Sequence, residues 1–284
     1  MGENNKSDGR RAIIVGISGA SSSGKTTLAR LLRDVFPNTF VLHEDDFYRP
    51  ESELPTRDGL LDWDCAEALN IPDMTRALKH IRAEGTFPLF VDSKEDQNSV
   101  GACPVSDAKI SAMKARVAAW LAPGRPGHAL VSPASAQPPL RICLLDGFLL
   151  YAPPPAPPPL PPSPLRALLS DPLLDVRLFL LVSRAQATRR RGARDGYVTL
   201  EGFWADPPGY VDKIVWPNYA ESHAWLFEGG DVEAGVLDER VLRREDILAQ
   251  VGRGPDVGME DMFEWAVETL MRRLEGIVGE GEGR

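Results

Sequence analysis

A parallel α/β sheet flanked by helices is the fold class the sequence predicts, and three observations predict it. Short apolar runs rich in β-branched residues, beginning with Ala12-Ile-Ile-Val-Gly-Ile17, alternate with segments of helical periodicity. Between the first such run and the first helix stands Gly19-Ala-Ser-Ser-Ser-Gly-Lys-Thr26, which matches G-x-x-x-x-G-K-[ST]. Carboxylates follow two later runs, at Glu44 to Asp46 and at Asp146, at the strand ends where open parallel sheets bind ligands.

Each element has its own signal. Residues 1–10 are polar and read as a disordered tail. Lys25 to Phe36 carries Leu28, Leu31, Leu32 and Val35 on one helical face, and Pro37-Asn38 ends it. Thr39 to Leu42 reads as a second strand running into His43-Glu-Asp-Asp46. Residues 64–84 read as helical, with a restart at Pro72-Asp73, and a further helix is expected around Ile110 to Leu121. Arg141-Ile-Cys-Leu-Leu145 is a third buried strand and Val176 to Val182 a fourth. Ser183 suits the N-cap of the helix carrying Arg184, Arg189, Arg190 and Arg191. Pro207-Pro208 starts another helix, running through Tyr210 and Ile214 towards Trp216-Pro217. A fifth strand is expected near Val232 to Leu237, and Met259 to Val278 reads as an amphipathic helix. No internal repeat is visible.

Composition bounds the rest. The 284 residues carry a net charge of −9, with 43% apolar and 26% charged residues, which is ordinary globular usage. Proline is in excess: of 25, nine fall between Pro153 and Pro164 and five between Pro123 and Pro139. Residues 85–139 and 152–170 therefore read as low-order insertions in a single domain spanning 11–284, with the tract from Ala152 to Pro164 in polyproline II. The acidic balance argues against a nucleic-acid partner. There is no apolar run of membrane-spanning length and no signal peptide, and Lys6 breaks the myristoylation pattern after Met1-Gly2. Three scattered cysteines suggest neither disulfides nor a zinc site. A soluble chain in a reducing compartment is expected, the cytoplasm first and the nucleus second.

The phosphate loop predicts nucleoside triphosphate binding through Gly19, Ala20, Ser21, Ser22, Ser23, Gly24, Lys25, Thr26 and Thr27. Glycines let backbone N–H groups turn inward, Lys25 reaches the outer phosphates, and the Thr26 hydroxyl meets Mg²⁺. A carboxylate after the second strand, Asp45, is placed to take a proton from an attacking hydroxyl, with Asp46 beside it near the substrate. Asp146, ending the third strand, is placed to serve Mg²⁺. Arg189, Arg190 and Arg194 form an arginine-bearing lid that would neutralise the transferring phosphate, Arg190 catalytically. Adjacent arginines point about 100° apart on a helix, so not all face the nucleotide. These parts make a P-loop kinase fold of about five strands. The segment after the fourth strand, Ser183-Arg-Ala-Gln186, lacks the Asn-Lys-x-Asp of guanine-specific switches.

With these residues in hand, the chain resembles the nicotinamide riboside kinases. The resemblance rests on Gly16-Ile-Ser-Gly-Ala-Ser-Ser-Ser-Gly-Lys-Thr-Thr27, Glu44-Asp-Asp-Phe-Tyr48, Leu61-Asp-Trp-Asp64, Asp146-Gly-Phe-Leu-Leu150, Arg189-Arg-Arg191, Pro208-Gly-Tyr210 and Val215-Trp-Pro-Asn-Tyr219. It covers most of residues 12–82 and 140–240. It implies ATP- and Mg²⁺-dependent phosphorylation of the ribose 5′-hydroxyl of nicotinamide riboside, and of nicotinic acid riboside, in NAD biosynthesis. By motif, Asp45 would be the general base, Thr26 and Asp146 would serve the metal, and Asp64 and Asp206 would hold ribose hydroxyls. Trp63 and Tyr197 would flank the pyridine ring. A pyridinium cation suits such faces, at about 0.5–2 kcal/mol each. Two departures stand out: Asp146 replaces the family's Glu, and the lid at Arg194-Asp-Gly-Tyr197 is one residue longer.

Two other readings remain open at this point. One is a uridine or pantothenate kinase of the same architecture, against which the Trp63-Asp64 pair argues. The other is a non-catalytic nucleotide-binding scaffold whose proline tract docks SH3- or WW-type partners. Intact Lys25, Thr26, Asp45 and Asp146 argue against it.

Overall fold

The computed structural model describes residues 10–93, 101–132, 138–155, 163–170, 173–194, 196–199 and 202–282. Among these, β1 (Ala12–Gly19), β2 (Thr39–His43), β3 (Arg141–Gly147), β4 (Val176–Leu180) and β5 (Ile247–Ala249) form one parallel sheet in the order β2-β3-β1-β4-β5. β1 is buried on both faces, which is why it reads as a continuous apolar run. Its side chains alternate. Ile13, Val15 and Ile17 join the core beneath α1 (Lys25–Val35), α3 (Asp107–Trp120) and α7 (Met259–Glu282). Ala12 and Ile14 face the core shared with α2 (Ile71–Glu84) and α5 (Trp216–His223). A third, smaller cluster joins Leu54, Trp63, Ala68, Tyr210, Ile214 and Val215.

Helix boundaries follow local chemistry. Asn70 caps α2 by accepting the Asp73 N–H, and Gly85 ends it in the left-handed region. Ser183 caps α4 (Arg184–Gly192), its Oγ accepting the Gln186 N–H at 3.2 Å. A further helix, α6 (Glu239–Arg244), precedes β5.

Four expectations need correction. The fifth strand is Ile247–Ala249, paired with β4, and not Val232–Leu237, where Gly235 sits in a turn and only an isolated bridge joins Leu237 to Phe227. Residues 64–70 are not α-helical: a 3₁₀ turn at Ala66–Ala68 precedes α2, which starts at Ile71, beside the restart expected at Pro72-Asp73. The helix begun near Pro207 is a π-turn, Val211–Val215, leading into α5. Residues 85–139 are not low-order throughout, because α3 buries Met113, Val117 and Trp120 and docks on α7. Lys109 meets Glu264 at 2.5 Å, Arg116 meets Glu268 at 2.6 Å, and Trp120 donates to Glu275 at 2.6 Å.

The tail expected at 1–10 lies almost wholly outside the described residues, as does the middle of the proline tract, 156–162. Among the described residues no helix is long and apolar enough to cross a membrane.

Candidate active site

The phosphate loop closes between β1 and α1 because two glycines permit it. Gly19 has φ 145°, and a Cβ there would lie 2.3 Å from the Leu180 carbonyl oxygen; Gly24 has φ 103° and opens α1. Lys25 is the first residue of α1 and is buried, donating from Nζ to the Ala20 carbonyl at 2.9 Å. Burial pushes its pKa down, while Asp146, Asp45 and Glu44 pull it back up. The hydroxyls of Ser22 and Ser23 are buried in the loop with no hydrogen-bond partner among the described residues.

Register brings the next group in. β2 pairs with β3 so that His43 lies opposite Asp146. His43 Nδ1 and Asp146 Oδ1 are 2.6 Å apart and both side chains are buried. The other carboxylate oxygen, Oδ2, is buried with no close hydrogen bond among the described residues. Burial would raise the Asp146 pKa; the adjoining His43, the Thr26 hydroxyl and Lys25 outweigh it and hold the carboxyl below its ordinary value.

After His43 the chain makes a 3₁₀ turn, Glu44–Phe47, that sends successive carboxylates in different directions. Glu44 is fully buried, and its Oε2 accepts the Leu149 N–H at 3.0 Å. A Cβ on Gly147 would lie 2.6 Å from that oxygen, so only glycine fits. Burial, in the main, lifts the Glu44 pKa to about 8. Asp45 is exposed, Asp46 half-buried. The Asp45 charge acts on Lys25 on one side and on Tyr48 on the other.

The Leu61-Asp-Trp-Asp64 loop is held by residues more than 140 positions away. Tyr210 accepts the Trp63 N–H at 3.1 Å and donates to the Leu61 carbonyl at 3.0 Å. Asn218 donates to both oxygens of Asp62, at 2.8 and 2.9 Å. Asp62 thereby serves the loop, and Asp64 is left to the cleft. Asp64 is buried and its pKa is raised by burial, against the pull of Arg191. Arg191 Nη1 stands 3.5 Å from Asp64 and 2.7 Å from Ser21 Oγ, while Nε and Nη2 grip Asp206 at 2.6 and 3.0 Å.

Aromatic rings line the same side. Tyr48 meets Trp63 edge-on at 5.1 Å, and Trp204 lies 5.6 Å from Trp63 at 55°. Trp204 donates from Nε1 to Asp206 at 3.1 Å. Tyr197, expected against the pyridine ring, pairs in register with Trp204 in the lid hairpin Tyr197–Thr199/Gly202–Trp204; its side chain lies outside the described residues. Of the lid hairpin's described side chains, Trp204 is the one that meets Trp63.

The lid arginines divide. Arg190 reaches the Ser22 and Ser23 carbonyls, each at 3.4 Å. Arg189 is exposed and turned to the Gln186 side chain, away from the loop in this conformation. Arg194 is exposed, and its charge bears on Lys25. Sequence reasoning passed over His43, Glu44, Arg191, Trp204 and Tyr210. For Tyr210 a signal existed: Gly-Tyr recurs in the resemblance, and its hydroxyl proves to clamp the Trp-Asp loop. Among the described residues no three His, Cys, Asp or Glu side chains cluster so as to hold a metal ion.

No family model matches the chain. Individual relatives do. The nicotinamide riboside kinase of Schizosaccharomyces pombe is 33% identical over 269 residues, covering 94% of this chain and 99% of that protein. That of Saccharomyces cerevisiae is 29% identical over 266 residues, covering 93% and 97%. Human nicotinamide riboside kinase 2 is 30% identical over 246 residues, covering 84% and 79%. The shared length takes in the phosphate loop, the acidic turn after β2, the Trp-Asp loop and the lid together. The chain belongs to the nicotinamide riboside kinase family.

Proposed function

We propose that this protein transfers the γ-phosphoryl group of ATP to the ribose 5′-hydroxyl of nicotinamide riboside, and of nicotinic acid riboside, yielding the mononucleotide used to make NAD. One observation carries the reading: a phosphate loop and an aromatic, carboxylate-lined pocket share one sheet edge, with Asp45 acting on both. The pocket sets two carboxylates, Asp64 and Asp206, around one guanidinium, that of Arg191. That excess of negative charge, beside the Trp63 and Trp204 faces, suits a pyridinium.

The roles follow from placement. Backbone N–H groups of Gly19 to Thr27 cradle the phosphates, and Lys25 and Arg190 offset charge on the transferring group. Asp45 accepts the 5′-hydroxyl proton as that oxygen bonds to phosphorus and ADP leaves. Asp64, with Asp206, holds ribose hydroxyls. Thr26 and Asp146 fit a Mg²⁺ ion: both offer oxygen, and the buried Asp146 Oδ2, with no close hydrogen bond among the described residues, is an atom such a cation satisfies. When bound, that ion neutralises phosphate charge.

A turnover panel of nicotinamide riboside, nicotinic acid riboside, uridine and pantothenate, with ATP and GTP in parallel, tests the substrate. Phosphorylation of uridine without either pyridine riboside would overturn the reading. Asp45→Asn is expected to keep ATP affinity while kcat drops roughly 10²–10⁴-fold. A near-wild-type kcat would mean that another group is the base.

A further inference from the structure

Asp146 is a short side chain for a metal site, and its surroundings compensate. One oxygen, Oδ1, is engaged at 2.6 Å by His43 Nδ1, a residue fixed across the β2–β3 ladder by backbone pairing. His43 and Asp146 are 3% and 4% exposed, so water does not compete for the contact. A carboxylate oxygen 2.6 Å from a ring nitrogen accepts, which makes Nδ1–H the donor. A carboxylate held at one oxygen by a rigid ring cannot rotate freely about its last torsion. Its second oxygen is thereby fixed; it is buried with no close hydrogen bond among the described residues, in a carboxylate on which the Thr26 hydroxyl and the Lys25 charge act.

A histidine that serves only to join β2 to β3 would not require the second oxygen to stay unsatisfied. A buried carboxylate oxygen without a close hydrogen bond is destabilising unless a cation meets it.

We propose that His43 is a positioning residue for the magnesium site: by donating to Asp146 Oδ1 it presents Oδ2, beside the Thr26 hydroxyl, to the cation. The proposal rests on the reading of Asp146 as a Mg²⁺ ligand. Outer partners of metal-binding carboxylates carry this kind of effect, typically 10–100-fold in affinity.

The test is Mn²⁺ affinity of the protein–ADP complex, measured by electron paramagnetic resonance, with no turnover required. His43→Leu keeps bulk and removes the donor; it is expected to weaken Mn²⁺ binding about 10–100-fold. His43→Asn places an amide N–H near the Nδ1 position and is expected to restore affinity to within about threefold of wild type. Asp146→Asn reports on the parent reading. If Asp146→Asn loses Mn²⁺ and His43→Leu does not, the positioning role is wrong and the ligand reading stands. If Asp146→Asn binds Mn²⁺ as wild type does, the ligand reading itself falls.

A second comparison avoids reliance on a leucine that disturbs folding. Asp146→Glu extends the carboxylate into the imidazole, whereas His43→Ser with Asp146→Glu makes room for the extra methylene. The double variant is expected to bind Mn²⁺ about tenfold tighter than Asp146→Glu. Equal or weaker binding would show that His43 does not set the reach of residue 146.

Discussion

Arg191 ties more of the site together than any other lid arginine. It joins the phosphate loop at Ser21, the ribose side at Asp64 and the lid at Asp206. It is 8% exposed, so its loss strands the buried Asp64 and the half-buried Asp206. Arg191→Leu is expected to destabilise the protein by about 3–5 kcal/mol, the effect of leaving a buried charge unpaired. Arg191→Lys keeps the charge without the two-pronged grip and is expected to fall between the two in thermal melting, with a raised KM for the riboside. A leucine variant melting like wild type would remove the counter-charge role. Nothing in the sequence separates Arg191 from its neighbours. Helical steps of about 100° turn one of three consecutive arginines inward, and which one depends on how α4 is docked. The residues that were legible sit at the ends of apolar strands: Lys25 and Asp45 follow β1 and β2, and Asp146 stands in the last two residues of β3, where the strand itself fixes its position.

At the scale of elements, the lid depends on one serine. Ser183 caps α4 and also donates from its N–H and Oγ to Asp256, at 3.0 and 2.7 Å, pinning the lid helix to the loop before α7. Ser183→Ala is expected to destabilise by about 1 kcal/mol, the usual effect of losing such a cap. In a chain of this size that lowers Tm by about 2–4 °C. Faster hydrogen exchange confined to the first turn of α4 would locate the effect; an unchanged exchange pattern would contradict it. The cap was readable because Ser followed by a helical run is a local signal. β5 was not: Ile247-Leu248-Ala249 is too short to show a period, and pairing with β4 makes it a strand. The Trp-Asp loop is likewise fixed by Tyr210 and Asn218, whose hydroxyl and amide reach it only after α5 has packed.

For the molecule as a whole, two buried groups set how stability varies with pH. Glu44 has its pKa raised from 4.5 to about 8, so between those values the native state holds a proton that the unfolded chain has released. Its contribution to stability therefore falls as pH rises through that window, by up to about 1.4 kcal/mol per pH unit. His223, buried and pushed down from 6.5 to about 4, works the other way: the unfolded chain takes up a proton first, so stability falls as pH drops below 6.5. The two slopes oppose each other below pH 6.5, and above it Glu44 acts alone of the two. Nucleotide-free protein is expected to lose stability from pH 6.5 to 8 in denaturant melts, and Glu44→Gln to remove most of that loss. An unchanged slope in the variant would show that Glu44 is ionised in the fold. The fold at this scale was largely legible, since alternating buried strands and helices leave few arrangements. The packing of α3 on α7 was not, because its ion pairs join residues 152 to 155 positions apart.

The Trp63–Trp204 contact also gives the protein a built-in optical probe. Two indoles 5.6 Å apart at 55° couple their transitions. An electron-poor pyridinium entering between or beside them would quench their emission by accepting an electron from the excited ring. Riboside occupancy then becomes measurable in the absence of ATP, from the light the protein itself emits.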